Sequence, residues 1–230
     1  MKKLFAILGL ISALSLSLSA DIYIKSKTHQ DAMSVMGQNQ PAKDSISEQW
    51  MGDNQFAMIS EDQTIVIDLK KNIGFVINHK AKTFTEMTLP LDMSKLLPPE
   101  AAQMASMMKM TATVAPTDET KKIGRWDCQG YNLTMSMMGM SFAMKIWAST
   151  DVPFDINTYK TKFMGYTLKS LGPMMDESAV KEMMKIKGFN ISSQMEMFGS
   201  KITTEVTEIS KKNPPAGTFA PPAGYTKTAR

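Results

Sequence analysis

Methionine is the residue type in this 230-residue chain whose number and spacing could do chemistry. There are 23, concentrated at 104–110, 135–144 and 183–184. Thioethers are soft ligands suited to Cu(I), and the run MSMMGM places Met135, Met137, Met138 and Met140 within reach of one ion. The same unbranched, polarizable side chains also line adaptable apolar surfaces. Their distribution favours the second role, because those in helical stretches fall on a stripe that must bury and those in strands alternate as core residues do. No metal site and no cofactor is therefore expected. Other chemistry is sparse: His29 and His79 each sit in or beside a turn, with no Cys, Asp or Glu at ligand or triad spacing, and a surface role is expected for both. Phosphate-binding glycine loops, GxSxG and HExxH are missing from the sequence. Glu48, Asp68 and Glu86 lie in strands and could meet across a sheet as an acid/base couple, but a solvated strand face is the expected role. Cys128 is single, so it has no intramolecular partner; with no His or Lys beside it, it reads as a small buried residue. These observations predict a protein that is not an enzyme.

The elements that must position such side chains are β-strands. Thr64 to Met87 holds three short β-rich runs separated by turns of about four residues, which is a meander. Ile65, Ile67 and Leu69 share one face of the first run, and Ile73, Phe75 and Ile77 share one face of the second. Strands are also expected at 21–28, 46–51 and 55–60, with a long polar loop at 30–45 carrying Met33 and Met36. Turns recur about every ten residues, a spacing that favours a sandwich or open barrel.

Beyond Leu89 the character changes. Ala101, Met104, Ala105, Met107 and Met108 form a helical stripe starting near Pro99. The segment Thr111 to Ala115, a polar turn near Asp118 and a hairpin turning near Gly139 come next. A short helix is expected at 156–165 and another at 172–186, the latter with Pro173 in its first turn and Met175, Val180, Met183 and Met184 on one side. Two alternating runs, 188–197 and 201–209, make a last hairpin. The tail NPPAGTFAPPAGYTK is too proline-rich for a central strand and should lie extended along the outside of the sheet.

Residues 1–20 have the order of a secretory leader: Lys2 and Lys3, the apolar stretch Leu4 to Leu18, then small residues before Asp21. The expected mature chain is a single domain, 21–230, free in the periplasm. Losing Lys2 and Lys3 lowers the formal net charge from +4 to +2. The remaining lysines are scattered pairs such as Lys70-Lys71 and Lys211-Lys212, without interleaved aromatics, so no nucleic-acid partner is expected.

At IVIDLKKNIGFVINHKAKTFTEM, IGRWDCQGYNLT and KIWASTDVPFD the chain resembles a bacterial family of secreted domains of unknown function. Its tail AGTFAPPAGYTK is similar to the closing segment of LolA/LolB-like periplasmic lipoprotein carriers. The resemblance implies a half-open antiparallel β-barrel with helices covering one face and an apolar cavity for a lipid or lipoprotein acyl chain. The carriers resembled hold their lid with an early-strand Arg, whereas the only arginines here are Arg125 and Arg230. The expected function is non-enzymatic binding through an apolar concavity, with a possible envelope protein partner; a Met-rich Cu(I)-binding protein and a scaffold without small ligand are the alternatives. Expected lining residues are Trp50 and Phe75 from the strands and Met104, Met107 and Met108 from the first helix. Met138 and Met140 from the hairpin and Met183 and Met184 from the second helix complete the set.

Overall fold

A computed structural model gives the architecture and describes residues 21–35, 38–89, 110–137, 140–165, 175, 177–197 and 199–228. Of these, 62% are strand and 10% helix. The strands are β1 (Asp21–Gln30), β2 (Met33–Val35), β3 (Gln38–Gln40), β4 (Lys43–Met51), β5 (Gln55–Ile59), β6 (Gln63–Asp68) and β7 (Ile73–Asn78). They continue with β8 (Thr83–Thr88), β9 (Met110–Ile123), β10 (Trp126–Met137), β11 (Met140–Ser149), β12 (Phe189–Met197), β13 (Ser200–Lys212) and β14 (Thr226–Lys227). Helix α1 (Ile156–Tyr159) runs into a π-helical turn, Lys160–Met164, and α2 (Glu177–Met183) precedes β12.

Twelve strands form one sheet in the order β14-β8-β7-β6-β5-β4-β1-β13-β12-β11-β10-β9. Two five-stranded meanders, β4–β8 and β9–β13, are joined by β1, which pairs antiparallel with β4 on one side and β13 on the other. The only parallel pair in this sheet, among the described residues, is β14 with β8, and β9 is the opposite edge, so the sheet is large and not closed. The short β2–β3 pair stands apart, within the stretch expected to be a polar loop.

Alternation along the strands sorts the apolar side chains into three clusters. Ile22, Ile24, Met51, Ile67 and Val76 from one half of the sheet meet Ile123, Trp126, Trp147, Ile191 and Val206 from the other in a single cluster. That shared face is the inside of a curled, half-open barrel. On the outside of the first meander, Tyr23, Trp50, Ala57, Val66 and Ile77 are covered by Phe219 and Tyr225 of the C-terminal segment. On the outside of the second, Ala112, Val114, Tyr131, Leu133 and Ile146 are covered by α2 through Ala179 and by Ile186 just after it. Each meander thus buries apolar side chains on both its faces. Each fully buried Ile, Val or Phe is worth roughly 1.5–3 kcal/mol.

Turn chemistry fixes the registers. Asp68 accepts from the Lys71 N–H (2.9 Å) and the Gln55 amide (2.9 Å), and Asn78 accepts from the Ala81 N–H (2.8 Å). Asn72 and Lys82 take positive φ in these turns. Burial alone would raise the Asp68 carboxyl, but these donors and the Lys71 ammonium hold it below the usual range. Asp68 is accordingly buried and not part of a solvated strand face. The polar turn expected near Asp118 is instead a bulge inside β9: Gln129 pairs with Thr120 and Tyr131 with Pro116, leaving 117–119 opposite Gly130. A Cβ on Gly130 would come 2.5 Å from Thr117 Oγ1. The leader at 1–20 and the helix expected near 99–110 lie outside the described residues, apart from Met110, which begins β9.

Candidate functional site

The face of interest is the end of the barrel where β1 begins and β4 and β13 end. There the 153–163 segment crosses the inner cluster and leaves a cavity of about 240 Å³. Its apolar wall is Ile22, Met51, Pro153, Phe154 and Phe163, and its polar rim is Asp21, Asp53, Asp155, Thr158, Lys162 and Lys211.

Local sequence explains why the segment turns there. Asp155 caps α1, its Oδ1 accepting from the Asn157 N–H (3.1 Å) and its Oδ2 from the Thr158 N–H (3.2 Å) and hydroxyl (2.6 Å). Those donors hold the Asp155 carboxyl below its ordinary range, the Thr158 hydroxyl contributing most. Tyr159 and Phe163, four residues apart, share a helical face. Phe163 stacks on Phe56 of β5 with centroids 5.5 Å apart. Tyr159 and Phe154 both meet Phe189 edge-on, at 5.1 and 5.3 Å. Burial pushes the Tyr159 hydroxyl up to about 12. Lys162 Nζ donates to the Asp53 carbonyl (3.2 Å), tying the turn after β4 to the helix. Lys160 Nζ reaches the Met184 (3.3 Å) and Ile186 carbonyls, satisfying acceptors at the end of α2, and burial pushes that ammonium down. Asp21 is raised by burial first and then by the negative charge of Asp53. Gly52 lets its carboxylate approach, since a Cβ there would sit 3.0 Å from Asp21 Oδ2.

The site combines an aromatic and aliphatic wall with a charged rim of both signs, an arrangement chemically suited to an amphiphile. Among the described residues no three His, Cys, Asp or Glu side chains are grouped to hold a metal ion.

The residues singled out from sequence are distributed differently. Trp50 and Phe75 belong to the outer cluster under the C-terminal segment, with Trp50 tilted against Tyr23 at 4.7 Å. Met183 packs on the outer cluster of the second meander, and Met184 follows it half-buried. Met140, at the β10–β11 hairpin, is 47% exposed. Met104, Met107, Met108 and Met138 lie outside the described residues. The mouth wall is absent from the lining expected from sequence, although the alternation of Ile22 with Tyr23 and the Tyr159/Phe163 spacing carry its signal. His79, expected at the surface, is half-buried and bridges Thr64 Oγ1 (2.8 Å) to the Tyr225 hydroxyl (3.1 Å), fastening the C-terminal segment. His29 is exposed, but between Asp44 (2.6 Å) and Asp31 (3.2 Å), carboxylates that the linear spacing does not bring together. Cys128 is buried as expected, and burial pushes its thiol up. No helix among the described residues is long and apolar enough to cross a membrane.

Comparison with protein families decides the membership. The chain belongs to the DUF4412 family. The family model, described as a domain of unknown function, matches residues 19–225. The match runs from just before β1 to Tyr225, so the DUF4412 domain takes in both meanders, the mouth and the segment that His79 fastens. No curated protein matches the chain.

Proposed function

We propose that this DUF4412 domain is a non-catalytic binding module of the cell envelope that takes the acyl end of a lipid or lipoprotein at the mouth of a LolA/LolB-like half-barrel. The observation that carries the reading is the mouth itself: Ile22, Met51, Phe154 and Phe163 wall a cavity whose rim is charged, at the open end of an apolar interior. The twelve-stranded unclosed sheet with short inserted helices supports the likeness to the carriers. The leader-like order of residues 1–20 supports export, the step that a periplasmic location requires.

The cavity of about 240 Å³ sits below the roughly 300–1,000 Å³ of most ligand pockets. A chain end is therefore the part that enters, each buried methylene contributing about 0.8 kcal/mol, while the polar rim meets the rest of the amphiphile. Native mass spectrometry of protein exported and purified without detergent tests this. Lipid adducts on the wild type, absent from Met51→Asp, support it. A clean unliganded mass, with no thermal shift on adding lysophospholipid below its micelle concentration, refutes it and leaves a scaffold.

A further inference from the structure

The structure sorts the methionines by face. Among the described residues, one of the six half-buried apolar side chains on the inner cluster is methionine, Met58, and none of the five on the cluster under the C-terminal segment is. By contrast the half-buried side chains on the outer cluster of the second meander are Met135, Met144, Met175 and Met183, all four of them methionine. Register then extends the group: Met144 stands opposite Leu133 on one side and Met195 on the other, and Met135 stands opposite Phe142, two pairs further along. Residues directly opposite lie about 4.5–5.5 Å apart at Cβ and diagonal neighbours about 7–8 Å. Alternation puts Met135, Met144 and Met195 on the same face, and the two torsions that place each sulfur, χ1 and χ2, let the central Met144 thioether turn toward either neighbour between β10, β11 and β12.

Two features separate this patch from ordinary packing. Strands favour β-branched and aromatic residues, which make up most of the inner cluster, so a block of thioethers here is a departure that adaptability of a sealed core does not explain. All three residues are also half-buried, so the patch is not sealed from solvent. We propose that Met135, Met144 and Met195 form a thioether site for a soft monovalent cation, Cu(I). The ligands are neutral and purely sulfur, a set that suits Cu(I) and not the oxygen-seeking Mg²⁺ or Ca²⁺. Met140, which pairs with Met137 at the turn, is largely exposed and takes no part in this site. Lying on the outer face, the site is independent of the mouth and of its acyl-chain reading.

The test uses the full exported protein, with Ag(I) as a redox-silent probe and Cu(I) under anaerobic conditions against a competing chelator. One equivalent is retained, and in methyl-labelled protein the Met135, Met144 and Met195 resonances move. The Met135→Leu/Met144→Leu/Met195→Leu variant keeps side-chain volume, loses sulfur and loses the retained equivalent at an unchanged melting temperature. Met140→Leu keeps it. A wild type that retains no ion, a triple variant that retains as much, or methyl shifts confined to Met140 overturns the proposal. Should the triple variant fail to fold, the wild-type methyl spectrum decides alone.

Discussion

Replacing Phe163 by alanine removes one of the side chains that join the mouth helix to the barrel. Phe163 comes from the π-helical turn after α1, not from the sheet, yet it is 5% exposed within the inner cluster and stacked on Phe56. Phe→Ala in a sealed core costs about 3–5 kcal/mol. Because Phe163 also borders the 240 Å³ mouth cavity, the space it leaves opens to water and escapes part of the empty-cavity penalty, which places the loss near the lower bound, about 3 kcal/mol. In a domain of 150–250 residues each kcal/mol moves Tm by roughly 2–4 °C, so Tm should fall by about 6–12 °C. Circular dichroism melts of wild type and variant measure this, and a urea midpoint with unchanged slope shows that the fold is otherwise kept. The same variant widens the mouth and should bind a longer acyl chain better than the wild type does. A Tm change under about 2 °C would show that the 153–163 segment is not part of the cooperative structure, and the mouth would cease to be a built site.

Other consequences attach to single positions. Gly130→Ala places a methyl against Thr117 Oγ1 and the Glu119 carbonyl, and should cost about 1–3 kcal/mol in urea, partly restored by Thr117→Ala; no loss would mean that the β9 bulge is absent. Tyr225→Phe removes the acceptor or donor facing His79 Nδ1 and should cost about 0.5–1.5 kcal/mol, while raising proteolysis of the C-terminal segment; equal cleavage of both proteins would contradict the fastening role. Two of the three mouth carboxylates, Asp155 and Asp21, respond to acid with opposite signs. Asp155, held low by its cap, adds stability that is present above its unfolded pKa and lost as pH falls through the lower folded value, so Asp155→Asn should flatten the acid limb of Tm against pH. Asp21, raised by burial and by Asp53, costs stability when ionised and relieves that cost as pH falls, so in protein that keeps the peptide bond before it Asp21→Asn should raise Tm near neutrality. Reversal of either sign would contradict the rim geometry.

Strand runs and tight turns are legible in the sequence because they depend on neighbours along the chain. Ile22 and Ile24, the 64–87 meander and the β10–β11 and β12–β13 hairpins stand where alternation and turn residues put them, and the proline-rich tail lies along the outside of the sheet as expected, though it runs through successive turns and is not extended. Which face each alternation serves is a property of the whole sheet. Trp50 and Phe75 read as lining because they are large and apolar, but the C-terminal segment, more than a hundred residues away in sequence, supplies Phe219 and Tyr225 to cover them. The bulge in β9 is hidden for a similar reason: APTDET has the composition of a turn, and only its pairing with the strand around Gly130 keeps it in the ladder. His29 meets Asp44 through the β1–β4 register, which no local spacing encodes. The methionines are legible as a group and not as a site, since Met144 and Met195 become neighbours only through β11–β12 pairing.

Photo-crosslinking bears most directly on acyl-chain binding at the mouth. A fatty acid carrying a terminal diazirine, bound to the exported protein and irradiated, should label peptides containing Met51 and Phe154 to Phe163, with labelling suppressed by excess unlabelled fatty acid and by Met51→Asp. Labelling confined to the outer faces around Trp50 or Met183, or none that competitor suppresses, would contradict a binding site at the open end of the barrel.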